Sequence, residues 1–267
     1  MLRHVREDEL KELLTYLKKD VGNCFYIYID TYVYGLDNPN MKLWVDPADD
    51  GYKLVVMKYH DSFQVYSRRS DYDINDIYQL IEQYDVQMVS GPENIIKQIN
   101  EKYKGIYNYS SGTIFDLAQV GRVQIEHDEV VEFATAKDVP EIAELLSQDD
   151  YYRESYTKDE LIKQFTERLK TGMGRNCIIR KDGKIVAHCA TFAEADGVAI
   201  GAGLLSHRDY RGKKFGIIVE SSIIRHMNSI GVTYYGFIQD DVRISKFIEM
   251  GNEIIGTYAK VVKKESN

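Results

Sequence analysis

Tyr210-Arg211-Gly212-Lys213-Lys214-Phe215-Gly216 connects a predicted strand to a predicted helix. The strand is the apolar run 198–205, and the helix follows from apolar residues at helical spacing: Ile217, Ile218, Val219, Ile223, Ile224 and Met227. A basic, glycine-containing turn at the start of a helix points free backbone N–H groups at an anion, and the helix dipole attracts the same ligand. The segment therefore predicts a site for a phosphate or pyrophosphate group.

The spacing of the glycines excludes two common nucleotide-binding motifs. A Walker loop needs two glycines five residues apart, but counting back from Gly212 gives His207. A dinucleotide fingerprint would begin at Gly201-Ala202-Gly203, but Ser206 occupies its third glycine position and no second βαβ unit follows. Neither motif accounts for the basic turn.

Composition indicates a globular protein with an acidic surplus. Its 267 residues, 44% of them hydrophobic and 28% charged, allow two modest domains or one large one. The 34 basic and 42 acidic residues give a net charge of −8 at pH 7, which argues against binding to a nucleic-acid backbone. A basic loop on such a protein suits a small anion.

Cysteine usage and the first residues predict a cellular setting. Cys24, Cys177 and Cys189 form no C-x-x-C pair and have no clustered histidines, so we expect neither a metal site nor a disulfide framework. Residues 1–8 are too charged for a signal peptide, and no apolar run is long enough to cross a membrane. We therefore predict a cytoplasmic protein with reduced thiols that binds no membrane and no nucleic acid.

The second half of the sequence predicts strand, helix, helix, three strands, helix, strand, helix and strand. Thr157-Lys158-Asp159-Glu160 has the form of a capping box, and Lys181-Asp182-Gly183-Lys184 is typical of a hairpin turn. The strands are expected at 130–133, 176–180, 185–192, 198–205, 233–237 and 254–262, and helices after Pro140, from Thr157, at 217–227 and at 242–250.

Arg211-x-x-Lys214-x-Gly216 resembles the R/Q-x-x-G-x-G/A signature of the GNAT N-acetyltransferase superfamily, whose loop binds the pyrophosphate of acetyl-CoA. The order of elements over 130–262 also matches that fold. Lys214 stands where the signature has its middle glycine, and the loop can still wrap the pyrophosphate if residue 214 keeps a negative φ, which the first turn of a helix allows. The resemblance implies an α/β (α+β) fold with a central mixed, mostly antiparallel sheet flanked by helices.

The first half has no comparable loop but alternates strands and helices in a similar way. Strands are expected at 54–59, 63–67, 86–90 and 113–117, with a further one at 42–45, and helices at 7–17, 74–83 and 93–102. This resembles a degenerate GNAT-like domain; an unrelated α+β domain is the alternative. We predict domains at 1–120 and 130–267 joined by a linker at 121–129, and the tyrosine-rich first half leaves a homodimer open.

The resemblance implies which residues contact coenzyme A. In the family, the strand before the loop binds pantetheine through its backbone, which corresponds here to Leu204, Leu205 and Ser206, with the Leu204 N–H facing the acetyl carbonyl. The loop residues that would take the pyrophosphate are Arg211, Gly212, Lys213, Lys214, Phe215 and Gly216. Asp240 occupies the place of an asparagine that often touches pantetheine, or it caps the helix at 242–250.

The acid and the base of an acetyl transfer are less defined. Phe247 stands where many GNAT enzymes have a tyrosine that protonates the thiolate, and Asn252 replaces an aromatic residue. Tyr258 and Tyr235 are substitutes for that acid, or strand aromatics that simply pack. The candidate bases are Glu194, Asp196, His188 and His207, with a structural role as the alternative for each histidine.

Together these features predict a two-domain, metal-independent N-acyltransferase that uses acetyl-CoA or a related acyl-CoA. The expected reaction is direct transfer to a primary amine of an unidentified acceptor. Glu194, His207 and Tyr258 are the catalytic candidates carried forward. A non-catalytic CoA-binding sensor is the main alternative, and a structural pair of GNAT-like domains that binds a protein partner is the third.

Overall fold

A computed structural model describes residues 1–125 and 127–264. Residue 126, inside the predicted linker 121–129, and residues 265–267, at the end of the predicted domain 130–267, lie outside the described residues. The chain forms two compact units. The first contains Met1–Phe115, Phe237–Ile244 and Ile254–Asn267, and the second contains Asp116–Gly236 and Ser245–Glu253.

The first half of the chain contains most of the first unit. Its strands are β1 (Arg3–His4), β2 (Met41–Ala48), β3 (Gly51–Tyr59), β4 (Ser62–Tyr66), β5 (Met88–Pro92) and β6 (Tyr107–Asp116). Its helices are α1 (Leu10–Lys18), α2 (Val21–Tyr34), α3 (Ile74–Tyr84) and α4 (Glu93–Lys102). The predicted alternation of strands and helices in this half is confirmed, and α4 has the predicted bounds.

The second half supplies most of the second unit and, to the first unit, its last strand and residues Phe237–Ile244. Its strands are β7 (Val131–Phe133), β8 (Asn176–Lys181), β9 (Lys184–Ala195), β10 (Val198–Ser206), β11 (Thr233–Ile238) and β12 (Glu253–Lys263). Its helices are α5 (Val139–Leu146), α6 (Asp150–Ser155), α7 (Lys158–Thr171), α8 (Phe215–Ser229) and α9 (Asp241–Glu249). No helix among the described residues has the length and apolarity needed to cross a membrane.

Each unit contains one pair of parallel strands connected by a helix. In the first unit β4 pairs in parallel with β5 through α3, and in the second β10 pairs in parallel with β11 through α8. The remaining strands of the second unit follow in the order β10-β9-β8-β7 with antiparallel pairing. The predicted mixed, mostly antiparallel sheet with flanking helices is therefore confirmed.

Local sequence signals explain several element boundaries. The capping box before α7 forms as predicted, because Thr157 accepts from the N–H of Glu160 and the Glu160 carboxylate accepts from the N–H of Thr157. The same helix ends at Gly172, which has a φ of +69°. Short-range hydrogen bonds of this kind depend on a few neighbouring residues, so they can be predicted from sequence.

Helix α2 is absent from the sequence-based prediction. Its sequence contains Gly22 and is rich in tyrosine, isoleucine and valine, which favour strands when neighbours are ignored. In the structure Phe25, Ile27, Tyr28 and Ile29 are all buried, so apolar residues surround the helix instead of forming one face. Burial in the core therefore outweighs the local preference, and it also removes the amphipathic period that sequence analysis detects. Helix α6 is likewise absent from the prediction.

The last strand of the chain belongs to the first unit. β12 pairs antiparallel with β5, with Ala259 opposite Gly91 and Val261 opposite Val89, and the sheet order of this unit is β1-β2-β3-β4-β5-β12-β6. The strand itself was predicted, but within a domain spanning 130–267. The proposed limits at 120 and 130 stay a prediction, and the compact units cross them because of this strand.

Substitution in β12 should destabilise the first unit, although this strand lies at the other end of the sequence. Val261 is fully buried in the same core cluster as Trp44, the only tryptophan of the chain. Val261→Ala should lower the free energy of unfolding reported by Trp44 fluorescence by about 2 kcal/mol, through lost apolar contact and a cavity. Val262→Ala, at the neighbouring exposed position, is the control and should change it by less than about 0.5 kcal/mol. An unchanged Trp44 transition in Val261→Ala would contradict this role of β12.

Candidate functional site

Strand β10 separates from β11 halfway along its length. The two strands pair only from Val198 to Ile200, opposite Thr233 to Tyr235, whereas β10 continues to Ser206. Within the second unit, the backbone edge of residues 201–206 that faces away from β9 therefore lacks a ladder partner. An extended ligand can bind such an edge as an added strand.

A bulge in β10 changes the direction of its backbone in the same stretch. Ala202 lies opposite Ala190 and Leu205 opposite His188, so Gly203 and Leu204 together face the single residue between these partners. Gly203 has a φ of +67°, a conformation that L side chains rarely adopt. The bulge leaves Leu204 half-buried in the unpaired part of the strand.

His188 holds this bulge from the neighbouring strand. Its Nδ1 lies 2.6 Å from the carbonyl oxygen of Gly203, and its Nε2 lies 2.8 Å from Oδ1 of Asn176 on β8. A Cβ atom on residue 203 would lie 2.8 Å from Cε1 of the imidazole, so a side chain cannot be accommodated there. Complete burial lowers the pKa of His188 to about 4, which makes the ring neutral at physiological pH.

Gly201, the first glycine of Gly201-Ala202-Gly203, is required by the side chain of Tyr234. Its hydroxyl donates to the carbonyl oxygen of Ala190 at 3.1 Å, and its ring crosses β10 at Gly201, where a Cβ would lie 2.3 Å from the phenol oxygen. Gly201 and Gly203 are thus required by two side chains, and no phosphate contact is needed to account for them. The sequence does not reveal Tyr234, because nothing local to it indicates a contact with a strand more than thirty residues earlier.

The turn before α8 offers a set of backbone donors to an anion. The N–H groups of five residues bond to no other group in the described part of the chain: Gly212, Lys214, Phe215, Gly216 and Ile217. The first bonded N–H of the helix is that of Ile218, which donates to the carbonyl of Lys214 at 3.1 Å. Unsatisfied donors at the N-terminus of a helix form the type of anion site that was predicted.

The backbone of Lys214 does not meet the condition set from the sequence. A negative φ was to let the loop wrap a pyrophosphate, but Lys214 has a φ of +65° and Gly212 a φ of +81°. Lys214 thus adopts the left-handed conformation for which the resembling signature uses glycine, and the loop keeps its course at the cost of local strain.

Gly216 brings the start of α8 against the end of β10. A Cβ on this residue would lie 3.3 Å from Oγ of Ser206 and 3.9 Å from Cδ1 of Leu204. The donors of the turn and the unpaired edge of the strand are therefore adjacent. Leu205 projects the other way and packs against the core cluster formed by α5, α7 and the sheet.

The side chains of the loop divide into inward and outward groups. Phe215 is buried and stacks on Tyr210 with ring centroids 6.0 Å apart, so it contributes only its N–H to the surface. Arg211 and Lys213 are exposed; the Lys213 ammonium lies 4.6 Å from the centroid of the Tyr210 ring. The cations of this loop thus remain at the surface beside the free N–H groups.

Glu194 is engaged by basic and hydroxyl groups. Its carboxylate accepts from Nε of Arg175 at 3.0 and 3.2 Å and from the Thr191 hydroxyl. It also lies opposite Ala199, five residues before Leu204 along β10, which corresponds to roughly 15 Å. This arrangement favours a structural role for Glu194 over the predicted role of base.

The other predicted proton-transfer residues also have structural partners. Nδ1 of His207 accepts from the N–H of Asp209 at 3.3 Å and caps the short turn that follows β10. Tyr258 lies in the first unit, where its hydroxyl is 2.6 Å from Oε1 of Gln64 and burial raises its pKa. Asp196 forms, with Gly197, the turn between β9 and β10, and Tyr235 lies opposite Ile200 at the last paired position of β10.

The residues around the last helix act in capping and packing. Asp240 accepts from the N–H of Arg243 at 2.8 Å, which is the capping role considered from sequence. Phe247 is buried, and its carbonyl accepts from the Asn252 side chain at 3.1 Å. Asn252 also accepts from the N–H of Gln119, so the residue in the family's aromatic position connects two segments of the second unit.

The equivalent loop of the first unit has the opposite electrostatic character. Between β4 and α3, Arg69 is paired with Asp71 and Asp50 at 2.7 Å each. Asp73 caps α3 by accepting from the N–H of Asn75 at 3.0 Å. Carboxylates thus occupy the start of this helix and neutralise the nearby guanidinium, so the loop does not favour an anion.

The parallel strands of the first unit also form only three ladder pairs, from Ser62 opposite Met88 to Gln64 opposite Ser90, but they stay close beyond the last pair. A Cβ on Gly91 of β5 would lie 2.3 Å from the carbonyl oxygen of Val65 on β4, which indicates close approach of the two backbones. Beside this point Gln64, Ser90 and Tyr258 form a buried hydrogen-bonded group. Of the two strand–loop–helix crossovers in the described residues, the one in the second unit therefore has the features of an anion site.

Removing the backbone strain at Lys214 by substitution should raise the free energy of unfolding. A side chain at a φ of +65° costs roughly 1–2 kcal/mol, partly offset by the greater freedom of glycine in the unfolded chain. Lys214→Gly should therefore raise the free energy of unfolding by about 1 kcal/mol in chemical denaturation followed by circular dichroism. Lys214→Ala removes the same charge but keeps the strain, and it should remain close to wild type. If Lys214→Gly and Lys214→Ala change the free energy of unfolding equally, the loss of charge and not the relief of strain is the cause.

Comparison with known proteins is consistent with this geometry. No protein-family model matches the chain. The amino-acid acetyltransferase of Pasteurella multocida (strain Pm70) is 30% identical over 112 residues, which cover 42% of this chain and 24% of that protein. The chain thus matches about a quarter of the length of this curated relative.

Solved structures match over the full length. A protein from Drosophila superposes with a TM-score of 0.69 at 13% identity, covering 98% of both chains. The tandem GNAT protein from the clavulanic acid biosynthesis pathway gives a TM-score of 0.57 at 11% identity, covering 100% of this chain and 99% of that one. Sequence identities of 13% and 11% indicate a shared fold and nothing more about this chain. The chain therefore has a tandem GNAT-type fold, which confirms for the fold the predicted resemblance to the GNAT N-acetyltransferases.

Proposed function

We propose that this protein is an acyl-CoA-dependent N-acyltransferase that uses acetyl-CoA or a related thioester and a primary amine. The observation that carries the proposal is the adjacency of five free backbone N–H groups, a basic loop and an unpaired strand edge in the second unit. Coenzyme A combines a pyrophosphate with an extended amide-containing arm, so it matches both parts of the site.

The start of α8 would hold the pyrophosphate. The N–H groups of residues 214–217 and of Gly212 donate to phosphate oxygens, and the helix dipole adds to their attraction. Arg211, Lys213 and Lys214 are exposed and provide positive charge on a chain whose net charge is −8. The contrast with the carboxylate-rich loop of the first unit supports one CoA site per chain.

The unpaired edge of β10 would align the arm and the acyl group. Backbone groups of residues 201–206 bind an extended chain as a further strand would, and the Leu204 N–H polarises the acyl carbonyl. Coenzyme A supplies an acyl group activated as a thioester. In the transfer, the amine nitrogen bonds to the acyl carbon, the carbon–sulfur bond breaks, and the amine releases a proton.

The proposal assigns no side chain to that proton. Glu194, His207 and Tyr258 each have the partners described above, so their catalytic roles remain sequence-based predictions. We favour the α-amino group of a peptide N-terminus as acceptor, because its pKa of about 7.7–8.0 leaves a large neutral fraction without a base, whereas a lysine-type amine at about 10.4 stays protonated. The name of the Pasteurella relative gives a different acceptor, a free amino acid, whose more basic α-amino group would need a base.

Calorimetry and a thiol-release assay test this proposal directly. We expect one acetyl-CoA to bind per chain, and free thiol to appear when short peptides with a free N-terminus are added, faster at pH 8 than with N-terminally blocked peptides that offer only a lysine ε-amine. Absence of binding at millimolar acetyl-CoA would refute the proposal. Binding without acceptor-dependent turnover would instead identify a CoA-binding module, and two bound molecules per chain would contradict the assignment to the second unit.

Charge reversal in the loop tests the pyrophosphate contact. A Cβ at Gly212 meets nothing within 4 Å, so side chains fit there, and the residue is exposed. Gly212→Asp should weaken CoA binding more than about tenfold, or 1.4 kcal/mol, by placing a carboxylate beside the phosphates. Gly212→Asn has the same shape and the same strain at a φ of +81° but no charge, so it serves as the matched control. Similar affinities for the two variants would mean that the phosphates bind elsewhere.

A further inference from the structure

The Gly203–Leu204 peptide lies between a buried imidazole and the proposed acyl site. Its carbonyl oxygen is 2.6 Å from Nδ1 of His188. No cis peptide occurs among the described residues, so the C=O and N–H of this unit point in opposite directions. A group that fixes the Gly203 carbonyl therefore also fixes the direction of the Leu204 N–H.

We infer that His188 is a positioning residue, which as a neutral imidazole protonated on Nδ1 aims the Leu204 N–H at the acyl carbonyl of the thioester. The inference rests on the proposed function, since it assumes that an acyl carbonyl binds at this N–H. His188 donates to one end of the peptide, and the other end donates to the substrate. Such a chain of hydrogen bonds strengthens each member through polarisation.

The partners of the ring determine its tautomer. A backbone carbonyl only accepts, so Nδ1 of His188 must carry the proton that it shares with Gly203. Burial lowers the pKa of His188 to about 4, which leaves Nε2 unprotonated and able only to accept. The amide of Asn176, 2.8 Å away, must then turn its Nδ2 toward the ring.

The surroundings of His188 fit a positioning residue and not a general base. The side chain has no exposed surface, and the ring of Phe165 packs against it edge-on with centroids 5.7 Å apart. Both nitrogens are occupied by Gly203 and Asn176. The imidazole therefore contacts the peptide and not the substrate, and it acts by fixing the bulge.

The tautomer is tested by NMR of the full chain labelled with ¹⁵N-histidine. The chain has six histidines, and the His188→Asn variant assigns the signal of interest by its loss. We expect the shift pattern of a neutral ring protonated on Nδ1 at pH 7. A ring protonated on Nε2, or a charged imidazolium, would overturn the inference whether or not the protein is an enzyme.

Two amide variants test the positioning role. In His188→Asn the amide nitrogen takes the place of Nδ1 and can still donate to Gly203, whereas in His188→Gln it takes the place of Nε2 and cannot. We expect His188→Gln to lose about tenfold or more in kcat while its Kd for CoA changes less than about threefold, because the pyrophosphate loop is untouched. His188→Asn should keep kcat within about threefold of wild type. Full activity in His188→Gln, or equal loss in two folded variants, would contradict the role.

The same variants remain informative if no acceptor is turned over. The Leu204 amide, observed with ¹⁵N-leucine, should shift on addition of acetyl-CoA in wild type and in His188→Asn, and this shift should be lost in His188→Gln. An unchanged shift in His188→Gln would show that the imidazole does not orient this N–H. If His188→Asn fails to fold, His188→Gln assigns the wild-type His188 signal by its loss, and a ring protonated on Nε2 or an imidazolium still overturns the inference. Failure of the proposed function alone would appear as binding and shifts without turnover.

Discussion

The contact between the Tyr234 ring and Gly201 marks the point where β10 leaves β11. The ring occupies the space that a side chain at residue 201 would need, and its hydroxyl reaches the Ala190 carbonyl on β9. Beyond this point β10 has one free edge, and its bulge is fixed by His188. The strand-edge part of the candidate site depends on that divergence, because a fully paired strand would leave no backbone groups for a ligand.

The two units differ more in the charges at the start of the crossover helix than in the arrangement of strands and helices around it. Both contain a parallel strand pair joined through a loop and a helix. In the first unit aspartates cap the helix and pair with Arg69, whereas in the second the helix start keeps free N–H groups beside exposed cations. The same strand–loop–helix architecture therefore has its helix N-terminus capped by the protein's own carboxylate in the first unit and left open in the second.

Much of the fold was predictable because its signals are local. The capping box at Thr157, the hairpin turn at Asp182-Gly183 and the basic turn before α8 each involve neighbouring residues. Helix α2 was missed because burial on all sides removes the period that identifies a helix. Among candidate site residues, the loop was proposed from its pattern, whereas Glu194 and Tyr258 were chosen by position along the chain. Their hydrogen bonds to Arg175 and Gln64 join different strands or loops, and sequence does not reveal such pairs.

The sequence by itself determined the order of strands and helices in the second half and the presence of a basic, glycine-containing turn where an anion can bind. These depend on periodicity, caps and charge within short windows. Only the tertiary structure decided that Lys214 adopts a left-handed backbone, that β12 completes the first unit, and that His188 faces the Gly203 peptide. The pairing of β12 and the contact of His188 with Gly203 join different strands, where pairing and packing override local preference.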